Sequence, residues 1–237
     1  MITFLLSITA ILAYFLGGLN GAIIWSGYFY KDDVRTCGSG NAGLTNFIRK
    51  FVYGTPNRGW GIFWVAFTDS AKVILTCLIA RLLCPQEAQM AQMIGGIAAV
   101  MGHIYQPYFL AEPTWFKDGR RWFKGGKGII SQAALVLMLD WRLFLVGFTL
   151  FWVLLYFTDF VSVGSIFSSA VFAVGYWICF PGAPILFKIL GSALACFTII
   201  SHHTNIKRLC TWENGKCKEN PMPLWFKESC KSRRNKK

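Results

Sequence analysis

Residues 36–49 read TCGSGNAGLTNFIR, a glycine-rich polar stretch with no acidic residue, set between apolar segments at 3–29 and 60–84. That position decides the reading of the whole chain. The flanking runs reach the roughly 20 residues that a bilayer-spanning helix needs, so the stretch between them is a polar loop at a membrane surface. Glycines at 38, 40 and 43 admit φ > 0 and close backbone approach to a ligand. Ser39, Asn41, Thr45 and Asn46 add neutral donors, and Arg49 can grip a phosphate with two parallel N–H bonds. Such a loop suits a phosphate-bearing ligand; a tight solvated turn uses the same residues, and composition alone leaves both open.

Working outward, the apolar runs repeat along the chain. Of 237 residues, 54% are apolar and 16% aromatic, and the mean hydropathy is +0.45. Further segments follow at 93–110, 129–139, 143–158, 160–180 and 185–201, broken at Pro85–Gln92, at Asp140 and Arg142, at Asp159 and at Pro181-Gly182-Ala183-Pro184. The 129–139 run is too short to span unless neighbours complete the layer. The expected fold is therefore all-α, a polytopic membrane helix bundle of about seven transmembrane helices. The 3–29 segment has no basic start and reads as a retained helix and not a signal peptide. Its Gly17, Gly18, Asn20 and Gly21 interrupt it, and Asn20 at that depth needs a partner.

Charge gives the orientation. The net charge is +13, and the 24 Lys and Arg fall mostly in three polar regions: five in 31–58, five in 117–127 and ten in 207–237. The positive-inside rule places all three in the cytoplasm. Seven spans then put the N-terminus outside and the C-terminus inside, and divide the chain into a membrane-embedded part, 1–206, and a basic cytoplasmic tail, 207–237. The basic charge speaks of topology and anionic lipid headgroups; nucleic acid is disfavoured because no soluble domain carries a groove. The eight cysteines lack zinc-site spacing, and reduced thiols are the default on the cytoplasmic side.

Two more clusters carry chemistry. Lys124-Gly125-Gly126-Lys127-Gly128 opens the 129–139 segment. Free amide N–H groups of the glycines, the positive end of a helix and two ammonium groups make an anion site there. The spacing is not that of a nucleotide P-loop, and a basic surface turn is the plainer alternative. Ser201-His202-His203-Thr204-Asn205-Ile206-Lys207-Arg208 leaves the last segment on the same side; His202 with His203 is a weak metal pair, and interfacial anchoring is the bland account of the cluster. Within the 60–84 segment, Asp69 and Lys72 stand at i, i+3. Two ionisable groups in a span pair with each other or line a polar cavity. His103, near the end of its segment, reads as a satisfied structural group.

In this order, GSGNAGLTNFIR at 38–49, Asp69 with Lys72, Gly102-His103, FKGGKG at 123–128 and HHTNIKRL at 202–209 resemble the bacterial acyl-phosphate:glycerol-3-phosphate acyltransferases of the PlsY type, over nearly the whole chain. The resemblance implies a seven-helix bacterial inner-membrane enzyme whose active site faces the cytoplasm. It implies acyl transfer from acyl phosphate to the 1-hydroxyl of sn-glycerol 3-phosphate, giving lysophosphatidic acid and phosphate, the first acylation of phospholipid synthesis. No cofactor, metal or acyl-CoA is expected; a partner enzyme that forms the acyl phosphate is. By matching position, Ser39, Asn41, Thr45, Asn46 and Arg49 would hold glycerol 3-phosphate. Lys124, Lys127 and the amides of Gly125, Gly126 and Gly128 would hold phosphate and developing charge. His202 and Asn205 would orient donor or acceptor, and Lys72 with Asp69 would complete the polar cavity. The chain departs from the family at Gly18, Leu44, Val73, Ser201 and Thr204, the last in place of a common acidic residue, and its loop between His103 and Lys124 is about ten residues longer. The chemistry asks for charge neutralisation and positioning more than for a strong nucleophile, and the chain has no G-x-S-x-G elbow and no His-x4-Asp. A small transporter for an anionic solute would share the basic loops and broken helices, but no inverted repeat accompanies them; a membrane-anchored scaffold leaves the glycine-rich loops unexplained.

Overall fold

The first apolar segment is two helices joined by a short break. In the computed structural model, which describes residues 2–36, 38–52, 58–109, 125–213 and 216–222, α1 spans Ile2–Gly17 and α2 spans Gly21–Tyr30. Asn20 ends the break by capping α2: its Oδ1 accepts from the Ile23 N–H at 3.0 Å, which satisfies one of the amides a helix start leaves open. The chain then enters the 36–49 loop through a bidentate Arg35–Asp33 ion pair of 2.6 Å. The loop ends in a short helix, α3 (Leu44–Phe47), which widens into a π turn over Ile48–Val52.

Four helices follow in the first half or close it: α4 (Arg58–Leu83), α5 (Ala88–Ile104), α6 (Ile129–Leu139) and, after Asp140, α7 (Trp141–Thr158). Then come α8 (Val161–Cys179), α9 (Ile185–Ser201) and α10 (His203–Leu209), and a two-stranded hairpin of β1 (Trp212–Glu213) and β2 (Lys216–Cys217). Each of the seven apolar segments read from the sequence thus carries a helix. The region 129–158 is two helices and not one, because Asp140 sits at the end of α6 in an extended conformation.

Among the described residues, four stretches are long and apolar enough to cross a membrane, 2–30, 59–83, 141–158 and 161–179, and α9 with α10, bent by 54°, makes a fifth. α5, with 17 residues, and α6, with 11, are shorter. The fold is an all-helical multi-pass membrane protein. Its many exposed aromatic and aliphatic side chains on α1, α4 and α7 are what a lipid-facing surface needs, since backbone polar groups are already paired inside the helices.

The chain forms two compact units, Met1–Trp141 and Arg142–Lys237. In the first, α1 packs on α5 through small residues. A Cβ at Gly102 would collide with the Tyr14 carbonyl, so only glycine lets these backbones approach. Tyr14 and Tyr108 tie the same pair, donating to the carbonyls of Tyr105 and Phe15, each at 2.8 Å. In the second unit, Ser168 on α8 donates to the Gly147 carbonyl of α7 at 2.8 Å. An aromatic core of Tyr176, Phe180 and Phe187, with Phe187 edge-on to Tyr176 and tilted against Phe180, joins α8 to α9. Such packing and cross-helix hydrogen bonds hold membrane helices together where no hydrophobic drive acts between them.

Candidate active site

The break between α1 and α2 is where the first unit gathers its buried polar groups. Asp69 and Lys72, both on α4, are 2% and 4% exposed and pair at 3.0 Å. Lys72 Nζ also donates to the Leu19 carbonyl and to His103 Nδ1, each at 2.8 Å. An ammonium has three donors and no acceptor, so all three protons of Lys72 are spent inside the protein. The same inventory fixes the His103 tautomer: Nδ1 accepts a hydrogen bond from the Lys72 ammonium, so the ring proton sits on Nε2. Asp69 Oδ1 further accepts from the Gly21 N–H at 3.1 Å, and its backbone carbonyl takes the Ser131 hydroxyl of α6 at 3.1 Å.

This geometry gives Lys72 and Asp69 a different task from the one expected. They were expected to complete a polar substrate cavity. They form a saturated clamp that joins α4 to the α1–α2 break and to α5, and a charge with every donor occupied has none to offer a ligand.

His103 is the hub of this arrangement, a buried and hydrogen-bonded structural group as the sequence reading had it. On its Nδ1 side stands Asn20, whose Nδ2 lies 3.5 Å from the ring and donates to the Ala42 carbonyl of the 36–49 loop at 2.8 Å. On its Nε2 side lies the other loop: a Cβ at Gly126 would collide with Nε2 and come within 3.0 Å of the Ala42 carbonyl. Gly125 donates to the Ile104 carbonyl at 2.7 Å and Gly126 to the His103 carbonyl at 3.2 Å. The two glycine-rich loops therefore meet at one histidine within one unit. Gly102-His103, quoted as a dipeptide above, was the signal available; nothing in the spacing said that both loops would close on it.

Those hydrogen bonds correct a second expectation. The amides of Gly125 and Gly126 were to bind an anion, but they point at carbonyls of α5. The glycines are present for close approach, and Gly128, in a left-handed conformation (φ 83°), opens α6 with no side-chain cap. Lys127 is half-buried. Lys124 lies outside the described residues, as do the whole of the long 112–123 loop and the tail beyond 222.

In the first loop, Gly38 and Gly40 adopt φ of 57° and 67° as expected, but Gly43 is extended, with φ −129°. Asn46 is buried and braces the turn: Nδ2 donates to the Val34 carbonyl at 2.8 Å, and Oδ1 accepts from the Ser39 N–H at 3.3 Å. It shapes the loop, while Ser39, Asn41, Thr45 and Arg49 are half-buried along its rim. Arg49 sits on the π turn, an irregularity often found at functional sites. At the loop entrance Lys50 bonds Asp32 at 2.5 Å, and that hydrogen bond, with the Asp33 backbone N–H, holds the Asp32 carboxyl below its ordinary range.

The second unit carries the third cluster at the α9–α10 bend. His202 is 3% exposed, and its Nδ1 faces the Thr198 carbonyl at 2.9 Å. A carbonyl only accepts, so Nδ1 carries the proton and Nε2 is the basic nitrogen. His203 turns away, with Nδ1 on the Ile200 carbonyl at 3.2 Å. Asn205 is buried and donates to Glu219 at 2.8 Å. Among the described residues no three of His, Cys, Asp and Glu are grouped to hold a metal.

Comparison with known proteins bears on this arrangement. A family model described as glycerol-3-phosphate acyltransferase matches residues 7–212. A glycerol-3-phosphate acyltransferase of Thermoanaerobacter pseudethanolicus is 33% identical over 88% of this chain and 94% of its own. One of Coxiella burnetii is 35% identical over 85% and 93%. Crystal structures of PlsY (YgiH), an integral membrane glycerol 3-phosphate acyltransferase, superpose as well. Its glycerol 3-phosphate form gives a TM-score of 0.73 at 25% identity, covering 95% of this chain and 98% of that one. Its lysophosphatidic acid form gives 0.66 at 26% identity, covering 86% and 91%.

Proposed function

Because the chain belongs to the glycerol-3-phosphate acyltransferase family, we propose that it transfers an acyl group from acyl phosphate to the 1-hydroxyl of sn-glycerol 3-phosphate. The hydroxyl oxygen attacks the acyl carbonyl carbon. The ester C–O bond forms, the bond from the carbonyl carbon to the phosphate oxygen breaks, and inorganic phosphate leaves with the electron pair. The hydroxyl proton passes to an oxygen of that phosphate, so the protein need not supply a covalent nucleophile. The product is lysophosphatidic acid.

The observation that carries this reading is the meeting of the two loops on His103, through Asn20, Ala42 and Gly126. Two phosphate-bearing substrates must be held with their reacting atoms in contact, and orientation of this kind removes much of the barrier to a two-substrate step. Arg49, with Ser39, Asn41 and Thr45, takes the phosphate of glycerol 3-phosphate, and Asn46 keeps their loop in shape. Lys127, with Lys124, Gly128 and the start of α6, neutralises the acyl phosphate and the charge that grows on the leaving group. His202 Nε2 and Asn205 orient the acceptor hydroxyl or the donor. Asp69, Lys72, Gly125 and Gly126 hold the loops together from behind.

The basic regions favour seven crossings with the N-terminus outside and the C-terminus, the tail 207–237 and the active site on the cytoplasmic side of a bacterial inner membrane. In that setting α5 and α6 cross as short helices with their neighbours completing the layer. An enzyme that makes acyl phosphate would supply the donor.

Purified protein in lipid, given palmitoyl phosphate with and without sn-glycerol 3-phosphate, tests the reading. The expected result is phosphate release that depends on the acceptor, with lysophosphatidic acid formed in equal amount. Release indifferent to the acceptor, or no turnover by folded protein, contradicts it.

A further inference from the structure

α9 keeps an apolar, lipid-facing surface to its last turn: Ile185, Leu186, Ile189 and Ile200 are exposed. Two residues after Ile200 the chain turns by 54° into α10. α10 has seven residues, and a helix of that length is about 10 Å long. Bent by that angle, it advances only about 6 Å along the axis of α9. The headgroup layer on each side of a bilayer is about 5–7 Å deep. The bend therefore keeps α10 within that layer, where a straight continuation would leave it.

The side chains there suit such a layer. Lys207 is exposed and Arg208 half-buried, and among the described residues neither has an ion-pair partner. The nearby carboxylates are spoken for: Glu213 pairs with Lys218 at 2.8 Å, and Glu219 is buried against Asn205. Trp212, 67% exposed, begins the hairpin, and an indole with an apolar body and one N–H donor belongs at a membrane–water boundary. The hairpin holds it beside α10. Its cross-strand partner Cys217 sets Sγ 3.5 Å from the Arg208 carbonyl, and Lys218 N–H closes on the Thr211 carbonyl at 2.9 Å. Over 207–237, ten Lys and Arg stand against three acidic residues, which complements a negative surface.

We propose that α10 and the start of the hairpin form a docking surface for anionic phospholipid headgroups, with Lys207 and Arg208 on headgroup phosphates and Trp212 seated at the boundary below them. Zwitterionic headgroups carry the same phosphate but cancel its charge with their own cation, so a lipid of net negative charge is the occupant two unpaired cations select. The surface uses none of the substrate residues assigned above, and the inference does not rest on the acyl-transfer reading.

The test is hydrogen–deuterium exchange at the amides of residues 203–213 in the full-length protein, held in nanodiscs of phosphatidylcholine with and without phosphatidylglycerol. Phosphatidylglycerol should slow exchange there about fivefold or more, the gain expected from even one basic residue at an anionic surface. Salt at about 0.5 M should remove most of the slowing. Inorganic phosphate added to the phosphatidylcholine discs should bring none. Lys207→Gln with Arg208→Gln should abolish the response and leave the thermal midpoint in phosphatidylcholine unchanged, because neither side chain is paired within the protein. Lys207→Arg with Arg208→Lys, which keeps both charges, should retain it. If the Gln pair lowers the midpoint, the salt arm and the charge-conserving pair decide the matter. Equal exchange in the two lipids leaves the surface to a protein partner and overturns the proposal. So does slowing by inorganic phosphate alone, or a Gln pair that responds like wild type.

Discussion

Lys72 and Lys127 are both lysines beside glycine-rich loops, yet they stand in opposite situations. Lys72 lies within α4, 4% exposed, with its three protons on Leu19, Asp69 and His103. Lys127 lies half-buried at the mouth of α6. One charge is committed to the fold through its three acceptors; the other is the half-buried lysine to which the proposed function gives the acyl phosphate. The difference teaches that a buried lysine in a membrane helix is a poor candidate for a substrate ligand once its donors are counted, however well its position suits a cavity. It also separates two kinds of failure: loss of the clamp should be felt as instability, and loss of the loop lysine as lost rate.

The largest effect expected is on the clamp. Asp69→Ala leaves the Lys72 ammonium buried without its carboxylate, which costs about 3–5 kcal/mol. The thermal midpoint in detergent should fall by about 10 °C; an unchanged midpoint would show that the pair does not hold the helices. Next comes Lys127→Ala, which should lower the rate of acyl transfer by about 10² to 10³, the usual cost of removing one group aimed at developing negative charge, with the midpoint unmoved. If instead the protein unfolds, the contrast between the two lysines collapses. Gly126→Ala sharpens the comparison from the side of the histidine: the added methyl group meets His103 Nε2, so the loop must shift, at about 1–3 kcal/mol. Both readouts should move together there, a lower midpoint and a lower rate, because this position belongs to clamp and loop alike.

The smallest effect lies at the loop entrance. Lys50 holds the Asp32 carboxyl below its ordinary value, so the pair's contribution to stability is present above the unfolded-state pKa of aspartate. It is lost as the pH falls through the lower folded-state value. Asp32→Asn should therefore differ from wild type slightly at neutral pH and not at all in strong acid, since this surface pair is well solvated and screened. A titration of thermal midpoint against pH checks it.

Much of this was legible in the chain itself. Polar interruptions in apolar runs located the helix breaks, because glycine and asparagine at membrane depth must serve packing or pairing. The i, i+3 spacing of Asp69 and Lys72 put both on one helical face, which left an ion pair and a polar cavity equally open until the acceptors around Lys72 were seen. The order of the glycine-rich motifs foretold the family. What escaped the reading depended on tertiary approach. That His103 would accept a hydrogen bond from Lys72 and carry the Gly126 loop on its other nitrogen follows from how α5 packs on α1 and α4, which no local pattern encodes. The amides of Gly125 and Gly126 looked available because the sequence cannot tell which carbonyl will face them. Glu219 was invisible for a plainer reason: it sits in a basic tail where an acidic residue reads as surface, and only the hairpin that folds it onto Asn205 gives it a partner.

The most direct measurement is equilibrium binding of sn-glycerol 3-phosphate to the purified protein and to its Arg49→Ala and Lys127→Ala variants. The loop account predicts saturable binding by the wild type, weakened about tenfold or more by Arg49→Ala as a charge-assisted phosphate contact is lost, and weakened less by Lys127→Ala, whose main debt is to the donor. Binding that ignores Arg49 would contradict it.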